Sequence, residues 1–190
     1  KRIINKTKFK FEYIDLGGGM GIDYENKNRK LNLNRYSKSI KKILIKNKSK
    51  IIFEPGRSII GNSGFLISKI IYIKEGHKKD FIILDAAMND LMRPALYNAN
   101  HRIIPANKNS KKTKKSYEFV GPICESTDKF STLKGFQKLK EKDLILICDV
   151  GAYGMSLSSN YNLRPKSTEL LIDNSKIQVI TKRQNLKDLI

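Results

Sequence analysis

Two turns in the first third of the chain carry residue types that could bind an anionic ligand. Gly17, Gly18 and Gly19 follow an apolar run and precede a segment with helical spacing. Glycines let backbone amides approach a ligand closely, and amides at a helix N-terminus attract phosphate. The same glycines suit a tight strand-to-helix turn, so this motif alone leaves both interpretations open.

The second turn, Glu54-Pro55-Gly56-Arg57, ends the next apolar run. At the carboxyl end of a strand in a parallel α/β barrel, a carboxylate could face a pyridine nitrogen. The guanidinium of Arg57 could bind a phosphate. A solvent-exposed turn held by an ion pair is the alternative interpretation.

Three later motifs carry side chains suited to a small charged substrate. Arg93 and Tyr97 are four residues apart, so one helical turn would place both on a face that could bind a carboxylate. Cys124 stands beside Glu125, and a thiol with the ordinary pKa of about 8.5 is mostly protonated at neutral pH. Tyr153 lies between glycines and could reach a ligand. Each also has a plain structural interpretation: an arginine packed on a ring, an inert thiol, or a half-exposed aromatic side chain.

Apolar patterning divides the chain near residues 57–64. A strand over residues 9–16, a helix with apolar positions between Leu33 and Leu44 and Asn34 as its cap, and a strand over residues 50–53 make a βαβ pattern. That pattern implies parallel pairing. Beyond the division, repeated strands with few helices predict a mainly antiparallel β domain. These strands are predicted over residues 65–73, 81–84, 117–120, 144–150, 169–172 and 177–180.

The composition is strongly basic, with 38 Lys and Arg against 18 Asp and Glu and a formal net charge of +20. A nucleic-acid partner would explain this charge, but the abundance of Lys, Asn and Ile indicates compositional bias, so we expect no such partner. No apolar run approaches the ~20 residues of a membrane span. Cys124 and Cys148 lack metal-site or disulfide spacing, so we expect a cytoplasmic protein with Cys148 in a core strand. His77 and His101 are isolated, and we expect both at the surface.

The joint order of five motifs resembles that of the diaminopimelate decarboxylases, a family of fold-type III pyridoxal enzymes. The motifs lie at residues 17–19, 54–57, 92–97, 121–126 and 151–154. The resemblance implies an α/β plus β fold. Residues 1–60 would form the C-terminal part of a cofactor-binding (α/β)₈ barrel, and residues 61–190 a mainly antiparallel β-barrel or sandwich domain.

The resemblance also implies how pyridoxal 5′-phosphate would be bound. The amides of Gly17, Gly18 and Gly19 and the guanidinium of Arg57 would hold its phosphate. Glu54, in the turn with Pro55 and Gly56, would pair with the pyridine nitrogen and keep it protonated. Tyr153 would border both cofactor and substrate.

For the substrate, the resemblance implies meso-2,6-diaminopimelate, which would be decarboxylated to L-lysine and CO₂. Arg93 and Tyr97, with help from Arg57, would bind its distal carboxylate, and Glu125 would receive its distal ammonium. Cys124 would deliver a proton to the α-carbon. In the family the Cys-Glu loop comes from the partner subunit, so a homodimer with a shared active site is implied.

The family's Schiff-base lysine and a ring-stacking histidine lie on early barrel strands, and no lysine here has the matching context. We therefore expect the isolated 190 residues to be inactive and poorly folded, because a partial barrel leaves strand edges unpaired. An ornithine- or arginine-type decarboxylase of the same fold, an inactive remnant and a non-catalytic basic binding module remain alternatives. Ornithine-type substrates lack the second carboxylate that Arg93 and Tyr97 would bind, and Asp typically replaces Glu125.

Overall fold

The computed structural model describes residues 6, 10–25, 27, 31–47, 49–107 and 111–190. The strands are β1 (Tyr13–Asp15), β2 (Lys50–Ile52), β3 (Phe65–Lys74), β4 (Lys79–Leu84), β5 (Ile103–Pro105), β6 (Ser116–Val120), β7 (Lys129–Leu133), β8 (Leu144–Cys148), β9 (Glu169–Asp173) and β10 (Lys176–Thr181). The α-helices are α1 (Leu33–Asn47), α2 (Gly56–Ile60) and α3 (Arg93–Tyr97), and short 3₁₀ helices span Gly61–Ser63, Met155–Leu157, Tyr161–Leu163 and Leu186–Asp188. None of the described helices has the length and apolar character that a membrane crossing requires.

The N-terminal strands β1 and β2 pair in parallel, as the βαβ pattern predicted, with Ile14 opposite Ile51. The strand predicted over residues 9–16 is shorter than expected, and Phe9 lies outside the described residues. The prediction of Asn34 as the helix cap is wrong. Asn32 precedes α1, and its Oδ1 accepts a hydrogen bond of 2.9 Å from the amide of Arg35, which would otherwise lack a partner in the first turn.

Six strands form one sheet in the order β5–β8–β3–β4–β6–β7. All its pairings are antiparallel except β4 with β6, which is parallel, so the prediction of a mainly antiparallel arrangement is confirmed. Sequence patterning missed β5 and β7, because β5 has three residues ending in a proline and β7 has only two apolar residues among its five. The predicted strand over residues 144–150 ends earlier, at Cys148. Strands β9 and β10 pair as a separate antiparallel hairpin.

The core lies on one face of the six-stranded sheet. Its wholly buried members include Ile82 and Leu84 of β4, Phe119 of β6, and Ile145 and Ile147 of β8. They sit at alternate positions because successive side chains of a strand point to opposite faces. This packing holds the C-terminal end of β8 in place, and the Gly-Ala-Tyr-Gly motif at residues 151–154 follows that end.

Candidate active site

The turn formed by Gly17 to Gly19 (the glycine turn) and the turn formed by Glu54 to Arg57 (the acidic turn) lie against each other. Because β1 and β2 are parallel, both strands end at the same edge of their sheet. The amide of Glu54 donates a hydrogen bond of 3.0 Å to the carbonyl oxygen of Gly17. A Cβ added to Gly18 would lie 2.5 Å from the carbonyl oxygen of Glu54, so the close approach of the two turns requires glycine at this position.

The opposite side of the glycine turn is open. Gly17 and Gly19 have φ values of +66° and +77°, a region that glycine adopts without strain, and a Cβ at either position would meet nothing within 4 Å. The amide of Gly17 donates to Asp15 Oδ1 at 2.7 Å. Within the described ranges, no hydrogen bond engages the amides of Gly18 and Gly19. These two amides and the open space at Gly17 and Gly19 offer backbone donors that an anionic group such as a phosphate could accept from.

The segment that follows Arg57 joins the acidic turn to the motif after β8. Val150 donates a backbone hydrogen bond of 3.0 Å to Gly64, and Gly151 donates one of 3.0 Å to Gly61. A Cβ on Gly151 would collide with the carbonyl oxygen of Ile60, so the two backbones meet where a side chain has no room. The glycine turn, the acidic turn and the Gly-Ala-Tyr-Gly motif therefore form one continuous backbone assembly.

Tyr153 presents its side chain to solvent from this assembly, with about half of its surface exposed. Its φ of +61° lies in the left-handed region, which is unusual for an aromatic residue. Asp149, at the start of the same turn, is buried and has a φ of +62°. Such backbone conformations persist where surrounding structure holds them, and they concentrate at functional sites.

Arg93 is buried at the start of α3 and contacts two aromatic side chains. Its Nη1 donates a hydrogen bond of 2.7 Å to the hydroxyl of Tyr24 and lies 3.0 Å from Nε2 of His101. The guanidinium also lies over the Tyr24 ring at 5.2 Å, and the Tyr24 and His101 rings meet edge to face at 5.1 Å. Since Tyr24 follows the glycine turn in sequence, it connects that turn to Arg93.

His101 is almost completely buried, with 1% of its surface exposed, so the prediction of a surface histidine is wrong. Its Nδ1 lies 2.9 Å from the carbonyl oxygen of Cys148. Burial lowers the pKa of His101, the hydrogen bond to Cys148 opposes that effect, and the charge of Arg93 adds to it. A neutral imidazole that donates from Nδ1 and accepts at Nε2 satisfies both contacts.

The other predicted side chain of α3, Tyr97, is exposed over 64% of its surface. The prediction that Arg93 and Tyr97 share a helical turn is confirmed by the bounds of α3. The two side chains differ in environment, because Arg93 is buried while Tyr97 faces solvent. Cys148 is buried in β8 as predicted, and burial raises the pKa of its thiol.

The Cys124–Glu125 loop is exposed, and the buried Asp128 that follows it binds backbone amides of this loop and of a neighbouring loop. The buried carboxylate of Asp128 accepts hydrogen bonds from the amides of Ile123 at 2.8 Å and Met88 at 2.7 Å. The carboxylate also lies directly against Gly121, where no side chain would fit. Burial raises the pKa of Asp128, and the two amides oppose this effect. Asp128 thus ties the Cys-Glu loop to the loop that precedes α3.

A second polar cluster holds the loop around Met88. Nε of Arg164 donates to Oδ1 of Asn89 at 3.0 Å, and its Nη2 donates to the carbonyl oxygen of Asp85 at 2.5 Å. Asn89 is fully buried and accepts a backbone hydrogen bond of 2.9 Å from Ser159. Burial raises the pKa of Asp90, whose carboxylate lies 3.8 Å from Arg164.

Not all of the predicted site residues are joined by these contacts. Within the part of the chain that the structure describes, no hydrogen bond or ion pair links Cys124 or Glu125 to Glu54, Tyr153 or the glycine turn. A cavity of about 330 Å³ lies at the first turns of α1, away from every motif. Its lining residues are Asn32, Asn34, Arg35, Lys38 and Ser39.

Sequence reasoning missed four residues that position the site: Tyr24, His101, Asp128 and Arg164. Nothing in the sequence separates the buried His101 from the exposed His77, since both are isolated histidines. Asp128 is separated from Cys124 by only three residues, and the short Gly-Pro loop before it could have suggested a carboxylate that binds loop amides.

Comparison with known proteins identifies the class to which this fold and site belong. The sequence profile of the family described as "Pyridoxal-dependent decarboxylase, C-terminal sheet domain" matches residues 13–151. The chain therefore belongs to this family. It is 41% identical over 182 residues to the diaminopimelate decarboxylase of Aquifex aeolicus, and 43% identical over 177 residues to that of Helicobacter pylori. These matches cover 96% and 93% of the chain but 43% and 44% of the relatives, so the chain spans less than half of their length.

Solved structures give the same result. The H. pylori diaminopimelate decarboxylase complexed with L-lysine superposes with a TM-score of 0.83 at 43% identity, covering 94% of this chain and 43% of that one. The enzyme from M. jannaschii superposes with a TM-score of 0.88 at 33% identity, covering 95% and 42%. A lysine/ornithine decarboxylase from Vibrio vulnificus, 19% identical with a TM-score of 0.69, shares the fold alone.

Proposed function

We propose that the chain supplies the C-terminal part of an active site that decarboxylates meso-2,6-diaminopimelate to L-lysine and CO₂ with pyridoxal 5′-phosphate. The observation that carries this proposal is the backbone contact between the Gly17–Gly19 turn and Glu54, which packs the two turns against each other at the ends of β1 and β2. The names and identities of the relatives support the choice of reaction.

In this proposal the chain's own turns hold the two ends of the cofactor. The amides of Gly18 and Gly19 bind the phosphate, with Arg57 beside them, and Gly17 supplies the turn conformation. Glu54 pairs with the pyridine nitrogen and holds a proton there. When bound, the cofactor ring accepts the electron pair left on the α-carbon as CO₂ departs, and a protonated ring accepts it more readily. Tyr153 borders the cofactor and the substrate.

Arg93 binds the distal carboxylate of the substrate, with Tyr97 and Arg57 nearby. A buried guanidinium suits this role because desolvating a carboxylate without a cation is costly. Within the described residues, the side-chain hydrogen bonds of Arg93 all come from Nη1. Its Nη2 and Nε remain as the pair of donors that a carboxylate binds side by side.

Cys124 delivers a proton to the α-carbon, and Glu125 receives the distal ammonium of the substrate. We propose that these two side chains act at the active site of the partner subunit in a homodimer. The Schiff-base lysine and a ring-stacking histidine would come from barrel strands that precede the segment matched here. The (α/β)₈ barrel ending near residue 60, the β-barrel or sandwich form of residues 61–190 and a cytoplasmic location belong to the same proposal, as does inactivity of the isolated 190 residues.

An ornithine-type decarboxylase is the nearest rival, since the V. vulnificus structure shares the fold. The shared fold therefore does not distinguish the two substrates. The buried Arg93 favours the substrate that has a second carboxylate. A substrate without a second carboxylate would leave this guanidinium without its anion. Diaminopimelate is accordingly the better fit.

The test uses an assembled enzyme made of two parts. Its N-terminal part is the segment of the A. aeolicus diaminopimelate decarboxylase that precedes the region aligned with this chain. Its C-terminal part is residues 13–190 of this chain. Release of CO₂ is measured with meso-diaminopimelate and with L-ornithine at equal concentrations. We expect turnover of meso-diaminopimelate with a kcat/KM at least about 100-fold above that for L-ornithine. Bound L-ornithine would leave the buried guanidinium of Arg93 without an anionic partner. Preferred turnover of L-ornithine would contradict the proposal.

A further inference from the structure

His101 stands between two parts of the candidate site that are distant in sequence. Its Nε2 faces Nη1 of Arg93 at 3.0 Å, and its Nδ1 faces the carbonyl oxygen of Cys148 at 2.9 Å. Cys148 ends β8, the strand that leads into the turn carrying Tyr153. The imidazole thus connects the guanidinium on α3 to the rigid end of a core strand.

The imidazole is well suited to hold Arg93 in one orientation. It is buried and rigid, and its two hydrogen bonds fix the ring in its plane. Tyr24 holds the same Nη1 atom from the other side with its hydroxyl and its ring. A guanidinium held at one nitrogen by two partners presents its other edge in a fixed direction, which lowers the entropy lost when a carboxylate binds.

The contact between His101 and Arg93 depends on the protonation of Nε2. Arg93 carries only donors, so its hydrogen bond to His101 exists only when Nε2 carries no proton. The hydrogen bond from Nδ1 to Cys148 selects that tautomer. The ring therefore binds Arg93 through one specific lone pair.

We propose that His101 is a positioning residue that fixes the guanidinium of Arg93 for a substrate's distal carboxylate. This inference rests on the proposed function and extends it to a residue with no direct role in the chemistry. His101 acts through Arg93, so its loss affects ligands that carry the distal carboxylate and spares ligands that lack it. Cadaverine is such a ligand, because it is L-lysine without its carboxylate, and that carboxylate is the distal group of diaminopimelate, which the reaction leaves in place.

The experiment compares His101→Asn with His101→Gln in the assembled enzyme. The Asn amide nitrogen can occupy the place of Nδ1 and keep the hydrogen bond to Cys148, but no acceptor reaches Arg93. The longer Gln can place its amide oxygen near the position of Nε2 and restore that acceptor. The exposed His77→Gln serves as the control. The measurements are KM and kcat for meso-diaminopimelate and the inhibition constant of cadaverine.

We expect His101→Asn to raise KM for meso-diaminopimelate about tenfold, with kcat and the inhibition constant of cadaverine changed less than about twofold. We expect His101→Gln and His77→Gln to stay within about threefold of the wild type in KM. Equal KM values for the Asn and Gln variants, or parallel weakening of cadaverine binding, would overturn the inference alone. Absence of meso-diaminopimelate turnover in the unsubstituted enzyme would instead contradict the proposed function, and the inference with it.

Discussion

The amide of Glu54 donates a hydrogen bond of 3.0 Å to the carbonyl oxygen of Gly17, which lies 37 positions earlier in the sequence. This bond extends the parallel pairing of β1 and β2 beyond the ends of both strands. It brings the backbone of the exposed Glu54 against a turn with open space at Gly17 and Gly19. The relationship accounts for glycine at position 18, where Glu54 leaves no room for a side chain.

Substitution of Gly18 by alanine should weaken cofactor binding. The added Cβ would lie 2.5 Å from the carbonyl oxygen of Glu54, so the two turns must move apart. We expect the dissociation constant of pyridoxal 5′-phosphate to rise at least about tenfold in the assembled apoenzyme, measured by absorbance titration. Gly21→Ala is the matched control, because its Cβ would meet nothing within 4 Å. Equal affinities for the two variants would contradict the assigned cradle.

Substitution of Asp128 by asparagine should disturb the Cys124 loop. An amide group offers one oxygen where the carboxylate accepts from both Ile123 and Met88, so one buried amide loses its acceptor. We expect unfolding to become easier by about 1–3 kcal/mol and kcat for decarboxylation to fall. The exposed Asp173→Asn provides a control in thermal unfolding and in kinetics. A fully active and equally stable Asp128→Asn enzyme would show that the loop does not depend on this carboxylate.

Removal of the Arg93 guanidinium should weaken the binding of ligands that carry a distal carboxylate more than the binding of ligands that lack one. We expect Arg93→Leu to raise KM for meso-diaminopimelate between about 10- and 100-fold, since a hydrogen-bonded charge pair is lost. The inhibition constant of cadaverine, which lacks the distal carboxylate that L-lysine retains, should change much less. Leucine keeps the buried site apolar, and thermal unfolding checks that the enzyme remains folded. An equal loss of affinity for both ligands would rule out a role for Arg93 in recognising the distal carboxylate.

The stability of the assembled enzyme should depend on pH through His101. Burial lowers the pKa of His101 in the folded state, so protonation favours the unfolded state. The stability contributed by the neutral ring is present above the unfolded value of about 6.5 and is lost as the pH falls through the folded value. We expect the Tm to fall less on acidification in His101→Gln than in the wild type, whereas the exposed His77→Gln should match the wild type.

Burial raises the pKa values of Asp90 and Asp128, and these two residues act in the opposite direction. Their protonated forms are favoured in the folded state, so they add stability as the pH falls toward the raised values. Both remain in the variants compared, and their contribution therefore cancels in the difference. Identical pH profiles for His101→Gln and the wild type would contradict the assigned neutral imidazole.

Local patterns in the sequence were sufficient to predict most strands, the parallel β1–β2 pair and the turn containing Arg93. Continuous apolar runs mark β3, β4 and β8, and their inward side chains form the core. The same patterns failed for β5 and β7, whose pairing depends on neighbours far along the chain. Strand β5 lies beside β8 through contacts such as Ile103 with Ile147, which no local pattern reveals.

The environment of Arg93 could not be predicted for the same reason. Tyr24 and His101 come from segments 69 residues before it and 8 residues after it, and only the fold brings them to one guanidinium. The order of the five motifs indicates a family and a cofactor. It does not indicate which side chains are buried, and burial is what distinguishes His101 from His77.

The pairing of Glu54 with the pyridine nitrogen is tested most directly by ¹⁵N NMR of labelled pyridoxal 5′-phosphate bound to the assembled enzyme. The account predicts a pyridinium shift in the wild type and a neutral pyridine shift in Glu54→Gln, because glutamine cannot stabilise the ring proton by charge. The exposed Glu75→Gln should resemble the wild type. The same ring shift in Glu54→Gln as in the wild type would contradict the convergence of the acidic turn and the glycine turn on one cofactor.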